Sequence, residues 1–138
     1  MQNSKDETLA AIAKKSIKEV SYHVRFSSDW MRRLGDGTEE SSQRVQTAVN
    51  DLWVFTDELF HQTDADKAMV LEGIGVDVTK LKGAYYTQVN EILEEATLST
   101  PESKWFQKGG KEGIHTEHLG YLLSDLQYMQ RTYPNMEW

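Results

Sequence analysis

The chain has no cysteine, which excludes disulfides, thiolate metal sites and cysteine nucleophiles. Proline is scarce: Pro101 and Pro134 are the only two, and neither interrupts a strongly periodic segment. No apolar run reaches the ~18 residues that a transmembrane helix requires. The opening stretch MQNSKDETLAAIAKK is polar and lacks the apolar centre of a signal peptide. Basic residues are in deficit, 15 against 22 acidic ones, for a net charge of -7. Nucleic acid and anionic membranes both require a basic face, so neither is an expected partner. No segment alternates convincingly with period two, so the expected fold is all-α. A cytoplasmic location is expected.

What is present is helical periodicity across 138 residues, enough for one domain with a core. The spacing predicts a first helix over residues 5–34, with a seam of Ala13, Ile17, Val20, Val24, Met31 and Leu34 and Ser27 filling one slot. LGDGTEES stops it. Gly35 and Gly37 end the first helix, Thr38 caps the next, and Glu39 and Glu40 fall in a favourable first turn. The second helix is expected over 39–60, with a seam of Val45, Ala48, Leu52, Phe55 and Leu59 and with Val49, Trp53 and Phe60 widening it. A short turn between long helices makes an antiparallel hairpin. A short helix ended by Gly73 and Gly75, a fourth helix over 78–98 capped by Asp77, and a last one over 114–131 complete the pattern. Trp30 and Trp53 are expected in the core; Trp105 and Trp138 are candidates for exposed partner contacts.

Three motifs suggest metal chemistry. ELFH (Glu58–His61) and EGIH (Glu112–His115) read as E-x-x-H, the ligand pattern of carboxylate-bridged di-iron bundles. On a helical wheel ELFH points mostly outward, at the end of its helix. EGIH is broken by Gly110 and Gly113, and His115 and His118 are expected as buried helix-start histidines. Mid-bundle, Glu19 and His23 on the first helix face the region of Asp51 on the second. A matching E-x-x-H there needs histidine at 54, where the chain has Val54. This is half a site, and a buried polar cluster pairing Asp51 with His23 or a cation is the simpler expectation. KGGKEGIH offers Lys108, Lys111 and a helix start as candidate contacts for a phosphate of coenzyme A or for a partner, with His115 and His118 beside them. It is not a P-loop.

Several pieces, namely LGDGTEES, NDLW, EGIGVDVTKLKG, EATLSTPES, KEGIHTEHLGYLL and QYMQRTYP, resemble the C-subunit (PaaC) family of bacterial ring-1,2-phenylacetyl-CoA epoxidases. The resemblance covers nearly the whole chain and matches the C-terminal part of the family. It implies a ferritin-like helical fold. It also implies a role as the non-catalytic structural subunit of a multicomponent di-iron monooxygenase in aerobic phenylacetate breakdown, with iron in a related catalytic subunit and no cofactor or catalytic residue in this chain. Family members carry another core helix pair before the segment seen here. Residues 1–138 are therefore expected to be one ferritin-like domain without that pair: a long antiparallel pair plus three further helices, completed by homodimerisation. A related catalytic di-iron subunit is the second candidate partner. A coenzyme A-binding module and a di-iron protein assembled across a homodimer are the competing functions.

Overall fold

The computed structural model describes residues 1–103 and 105–137. Among these no strand forms, and the helices are α1 (Glu7–Gly35), α2 (Glu39–Leu52), α3 (Asp64–Leu71), α4 (Lys82–Glu95), α5 (His118–Leu126) and α6 (Tyr128–Thr132). The chain divides into two units, Met1–Gln107 and Lys108–Trp138.

In the first unit, the Asp6 carboxylate opens α1 by accepting the Leu9 N–H at 2.9 Å. Twenty-nine residues of helix follow, ending at Gly35. Thr38 opens α2 by accepting the Ser41 N–H at 3.2 Å, as its position before two glutamates predicts. The Ser41 hydroxyl donates back to the Leu34 carbonyl at 2.8 Å and ties the turn to the end of α1. α1 and α2 thus form the expected hairpin.

The second helix is shorter than its periodicity predicts. It stops at Leu52, and the chain continues as 3-10 turns over Trp53–Phe55 and Asp57–Phe60. The run Trp53-Val54-Phe55-Thr56 is aromatic and β-branched, and such side chains lose rotamer freedom in a helix. The Thr56 hydroxyl also donates to the Trp53 carbonyl at 2.8 Å, a local bond that competes with regular winding. The buried stripe is Val45, Val49 and Trp53. Most of the expected seam, Leu52, Phe55 and Leu59 included, faces outward. Leu52 is 64% exposed and Trp53 only 7%.

α4 lies across the covered side of the hairpin. Trp53, Leu93, Ala96 and Leu98 form the buried centre, flanked by Met31, Val45, Val49, Tyr86, Val89 and Phe106. Phe60, Tyr85 and Tyr86 extend it as an aromatic cluster, with Phe60 and Tyr85 centroids 5.2 Å apart. The fourth helix begins as a 3-10 turn over Val78–Leu81, capped by Asp77, and ends at Glu95, earlier than expected. Thr97 adopts a left-handed φ of 57°. The Leu98 N–H then reaches the Leu93 carbonyl at 2.8 Å and the Thr97 N–H the Glu94 carbonyl at 3.0 Å, a Schellman closure. Gly73, with φ 73°, closes α3 the same way through the Ile74 N–H and the Met69 carbonyl, 2.9 Å apart. The segment after α4 is pinned along α2. The Gln46 amide accepts the Ser99 N–H at 2.8 Å and donates to the Ser99 carbonyl at 3.0 Å.

The second unit has two short helices in place of one. Gly113 sits at φ 88°, and the Ile114 N–H closes onto the Gly109 carbonyl at 2.8 Å, so no helix starts at Ile114. Gln127, with φ -97° and ψ 0°, separates α5 from α6. Leu122, Leu126 and Met129 are exposed, as a unit this small cannot enclose a core of its own.

Candidate functional site

α1 brings one pair of candidate ligands together. Glu19 and His23 stand one turn apart, with Glu19 Oε1 3.9 Å from His23 Nε2. Their side chains are 75% and 65% exposed. They lie amid Ile12, Phe26 and Trp30, which are also exposed. Placing them within an apolar arc is correct, but the arc is open. Trp30, expected in the core, is 44% exposed for the same reason. Cation–π contacts line the arc: the Arg33 guanidinium lies 5.6 Å from the Trp30 ring centre and that of Arg25 5.7 Å from the ring of Tyr22.

Asp51 does not join them. It is exposed on α2, and the expected buried cluster pairing it with His23 is absent; His23 has Glu19 as its carboxylate neighbour. Among the described residues no group of three or more histidine, aspartate or glutamate side chains is placed to hold a metal ion. Val54, where a matching ligand would fall, sits in a 3-10 turn rather than on α2. A di-iron centre of the bundle type takes carboxylates from four helices and two histidines. One glutamate and one histidine on a single helix do not fit that group.

The other motifs lack the helical spacing that gave them meaning. Glu58 is half-buried in the 3-10 turn Asp57–Phe60, and His61 follows it in extended backbone, its N–H on the Glu58 carbonyl at 3.1 Å. Glu112 ends a 3-10 turn over Gly110–Glu112, and the left-handed Gly113 separates it from His115. His115 lies in a loop and His118 opens α5; both are exposed, contrary to the expectation of buried histidines. The reason is the missing first turn, since a loop at 114–117 leaves His115 outside the helix. Lys108 and Lys111 are exposed on the turns around Gly109 and Gly113. Trp105 is 62% exposed, while Trp138 lies outside the described residues.

Spacing gave no hint of one polar link. Lys82, at the start of α4, donates to the Asp57 carboxylate in the second 3-10 turn. That hydrogen bond is the main cause that holds the Lys82 ammonium above the ordinary lysine range; partial burial acts against it. Burial likewise pushes the neighbouring Tyr85 phenol up, and its electrostatic interaction with the adjacent Tyr86 adds to it. Asp57 lies 25 residues before Lys82, so only the packed fold reveals the link. They fasten α4 to the end of the hairpin.

The fold and the incomplete ligand set define an all-α, ferritin-like helical protein whose α1 presents one Glu–His pair on an open apolar face. No helix among the described residues is long and apolar enough to cross a membrane. The chain belongs to the phenylacetic acid catabolic protein family, whose model matches residues 1–138. It is 47% identical over 138 residues to the C subunit of the 1,2-phenylacetyl-CoA epoxidase of Escherichia coli (strain K12). That similarity takes in 100% of this chain and 56% of the relative, so the chain spans little more than half the relative's length.

Proposed function

We propose that this chain is a non-catalytic, structural subunit of a multicomponent di-iron monooxygenase that epoxidises phenylacetyl-CoA in aerobic phenylacetate breakdown. Similarity along the whole chain to the C subunit of such an epoxidase supports the pathway and the complex. The observation that carries the non-catalytic role is the half-set of ligands: among the described residues no third ligand joins Glu19 and His23, Asp51 is exposed on α2, and valine occupies position 54. In this reading the iron belongs to a related catalytic subunit, and this chain contributes helical surface. The open side of the α1–α2 hairpin is covered by a second copy of the chain, which rebuilds a four-helix layer.

Iron content after loading with Fe(II) in air and desalting tests the role. The expected result is a stoichiometry near zero. Retention of about one iron or more per chain, abolished by Glu19→Ala or Asp51→Asn, would mean that half-sites combine across two chains into a metal centre. The protein would then bind iron in its own right.

A further inference from the structure

The segment that follows α2 is wound more tightly than its sequence requires. Its apolar positions keep helical spacing through Phe60, yet regular winding stops at Leu52. Beyond that point amides reach back three residues rather than four. The Thr56 N–H meets the Trp53 carbonyl at 3.1 Å, the Leu59 N–H the Thr56 carbonyl at 3.3 Å and the His61 N–H the Glu58 carbonyl at 3.1 Å. The joints themselves remain helical. Leu52 (φ -91°, ψ -15°), Trp53 (φ -57°, ψ -34°) and Thr56 (φ -71°, ψ -33°) all lie in the right-handed region, so small rotations separate the two windings.

Two contacts from elsewhere in the chain hold the tight form. In a continued α-helix the Val54 carbonyl would receive the Glu58 N–H. Here it accepts the Gln107 N–H at 2.8 Å. A group that enters the i to i+4 ladder in this way breaks a helix. Phe106 packs on the buried centre beside Trp53 and seats Gln107 at that carbonyl. Three residues after Val54, the Asp57 carboxylate accepts the Lys82 ammonium from the start of α4.

We infer that Trp53–Phe60 is a helix-length switch. Clasped by the Gln107 N–H and by Lys82, it keeps the 3-10 form; released, it winds onto α2 as one α-helix through Phe60. Winding at about 100° rather than 120° per residue turns Asp57 by up to roughly 80° about the axis relative to Trp53. That rotation carries its carboxylate away from Lys82, so the two clasps open together. Gln107 is the last residue of the first unit, so the chain that leaves for the second unit starts at one of them. A pull on that chain is thereby passed to the end of α2.

NMR of the isotope-labelled full chain tests the switch. Gln107→Pro deletes the backbone donor, whereas Gln107→Ala keeps it. In Gln107→Pro, cross-peaks from the Val54 Hα to the Glu58 N–H and from the Phe55 Hα to the Leu59 N–H are expected to appear, the mark of four-residue winding. Gln107→Ala should keep the wild-type pattern. Lys82→Ala, a change at a half-exposed side chain, opens the other clasp and gives a reading even if Gln107→Pro fails to fold. It should speed hydrogen exchange of the Gln107 amide about tenfold, because opening at Asp57 loosens the bond at Val54. A Gln107→Pro chain that keeps three-residue winding would show that the local sequence alone sets the turn, and the switch would be overturned. Winding in Gln107→Ala equal to that in Gln107→Pro would overturn control by the N–H. An unchanged Gln107 exchange rate in Lys82→Ala would overturn the coupling of the two clasps.

Discussion

A methyl group on Gly35 would sit 2.1 Å from the carbonyl oxygen of Ala96, nearer than any side chain can approach. The last turn of α1 therefore meets the end of α4 backbone to backbone, and the Thr97 hydroxyl donates to the Gly35 carbonyl at 3.2 Å across the same contact. Ala96 is fully buried there, so neither element has room to retreat. Gly35→Ala is expected to destabilise the first unit by ~3 kcal/mol, measured by urea unfolding; a change under about 1 kcal/mol would show that the two backbones separate easily. The two helical tryptophans make a second contrast. Trp53 fills the centre beside Leu93 and Leu98, and Trp53→Ala should cost about 3–5 kcal/mol. Trp30 lies on the open face, and at concentrations low enough to keep chains apart Trp30→Ala should cost about 0.5 kcal/mol or less. Equal losses would mean that the chain covers Trp30 by itself.

The elements that periodicity and end signals identified are those whose signals are local. Asp6, Thr38, Thr63 and Asp77 cap as residues of their type do before a helical run, and Gly73 ends α3 by taking a left-handed conformation. Thr38→Ala should accordingly cost about 1 kcal/mol in the same unfolding assay. What periodicity could not show is where winding tightens. The 3-10 turns from Trp53 to Phe60 end the second helix early, and the buried stripe is Val45, Val49 and Trp53 rather than Leu52 and Phe55; nothing in the spacing distinguishes these two flanks of one wide apolar arc. The same limit applies to the candidate site. Glu19 and His23 were legible as neighbours because one helix carries both, but whether Asp51 joined them depended on which flank of α2 packs inward, and it lies exposed on the regular helix. Left-handed Thr97 has no sequence signal of the glycine kind. Asp77 gives a pH dependence with a definite sign. The Thr79 hydroxyl and N–H, together with Lys80, hold its carboxyl below the ordinary carboxylate range, against a smaller opposing effect of burial. A depressed folded value stabilises fully above the unfolded pKa, and that contribution fades as pH falls through the folded one. The stability difference between the wild type and Asp77→Ala should thus be largest near pH 7 and shrink toward about pH 3. A difference that stays constant would assign the role of Asp77 to shape alone.

At the scale of the whole chain the central fact is surplus surface. Ile12, Phe26 and Trp30 on α1 and Leu52, Phe55 and Leu59 along and beyond α2 are apolar side chains facing outward on a hairpin whose other side is already packed on α4. A hairpin apolar on both sides requires helices on both sides. If a second copy supplies the missing layer, only native chains pair, and pairing draws the unfolding equilibrium toward the folded state by mass action. The melting temperature should then climb with protein concentration, by a few degrees over about a hundredfold range, since the linkage is worth about 2.7 kcal/mol at a hundred times Kd. Replacing Trp30 with glutamate puts a charge onto the open apolar face without touching the contact with α4. Trp30→Glu should abolish the concentration dependence while leaving the melting temperature of the dilute protein nearly unchanged. Calorimetry at several concentrations checks both. A flat dependence in the wild type would mean that a second copy does not cover the open face.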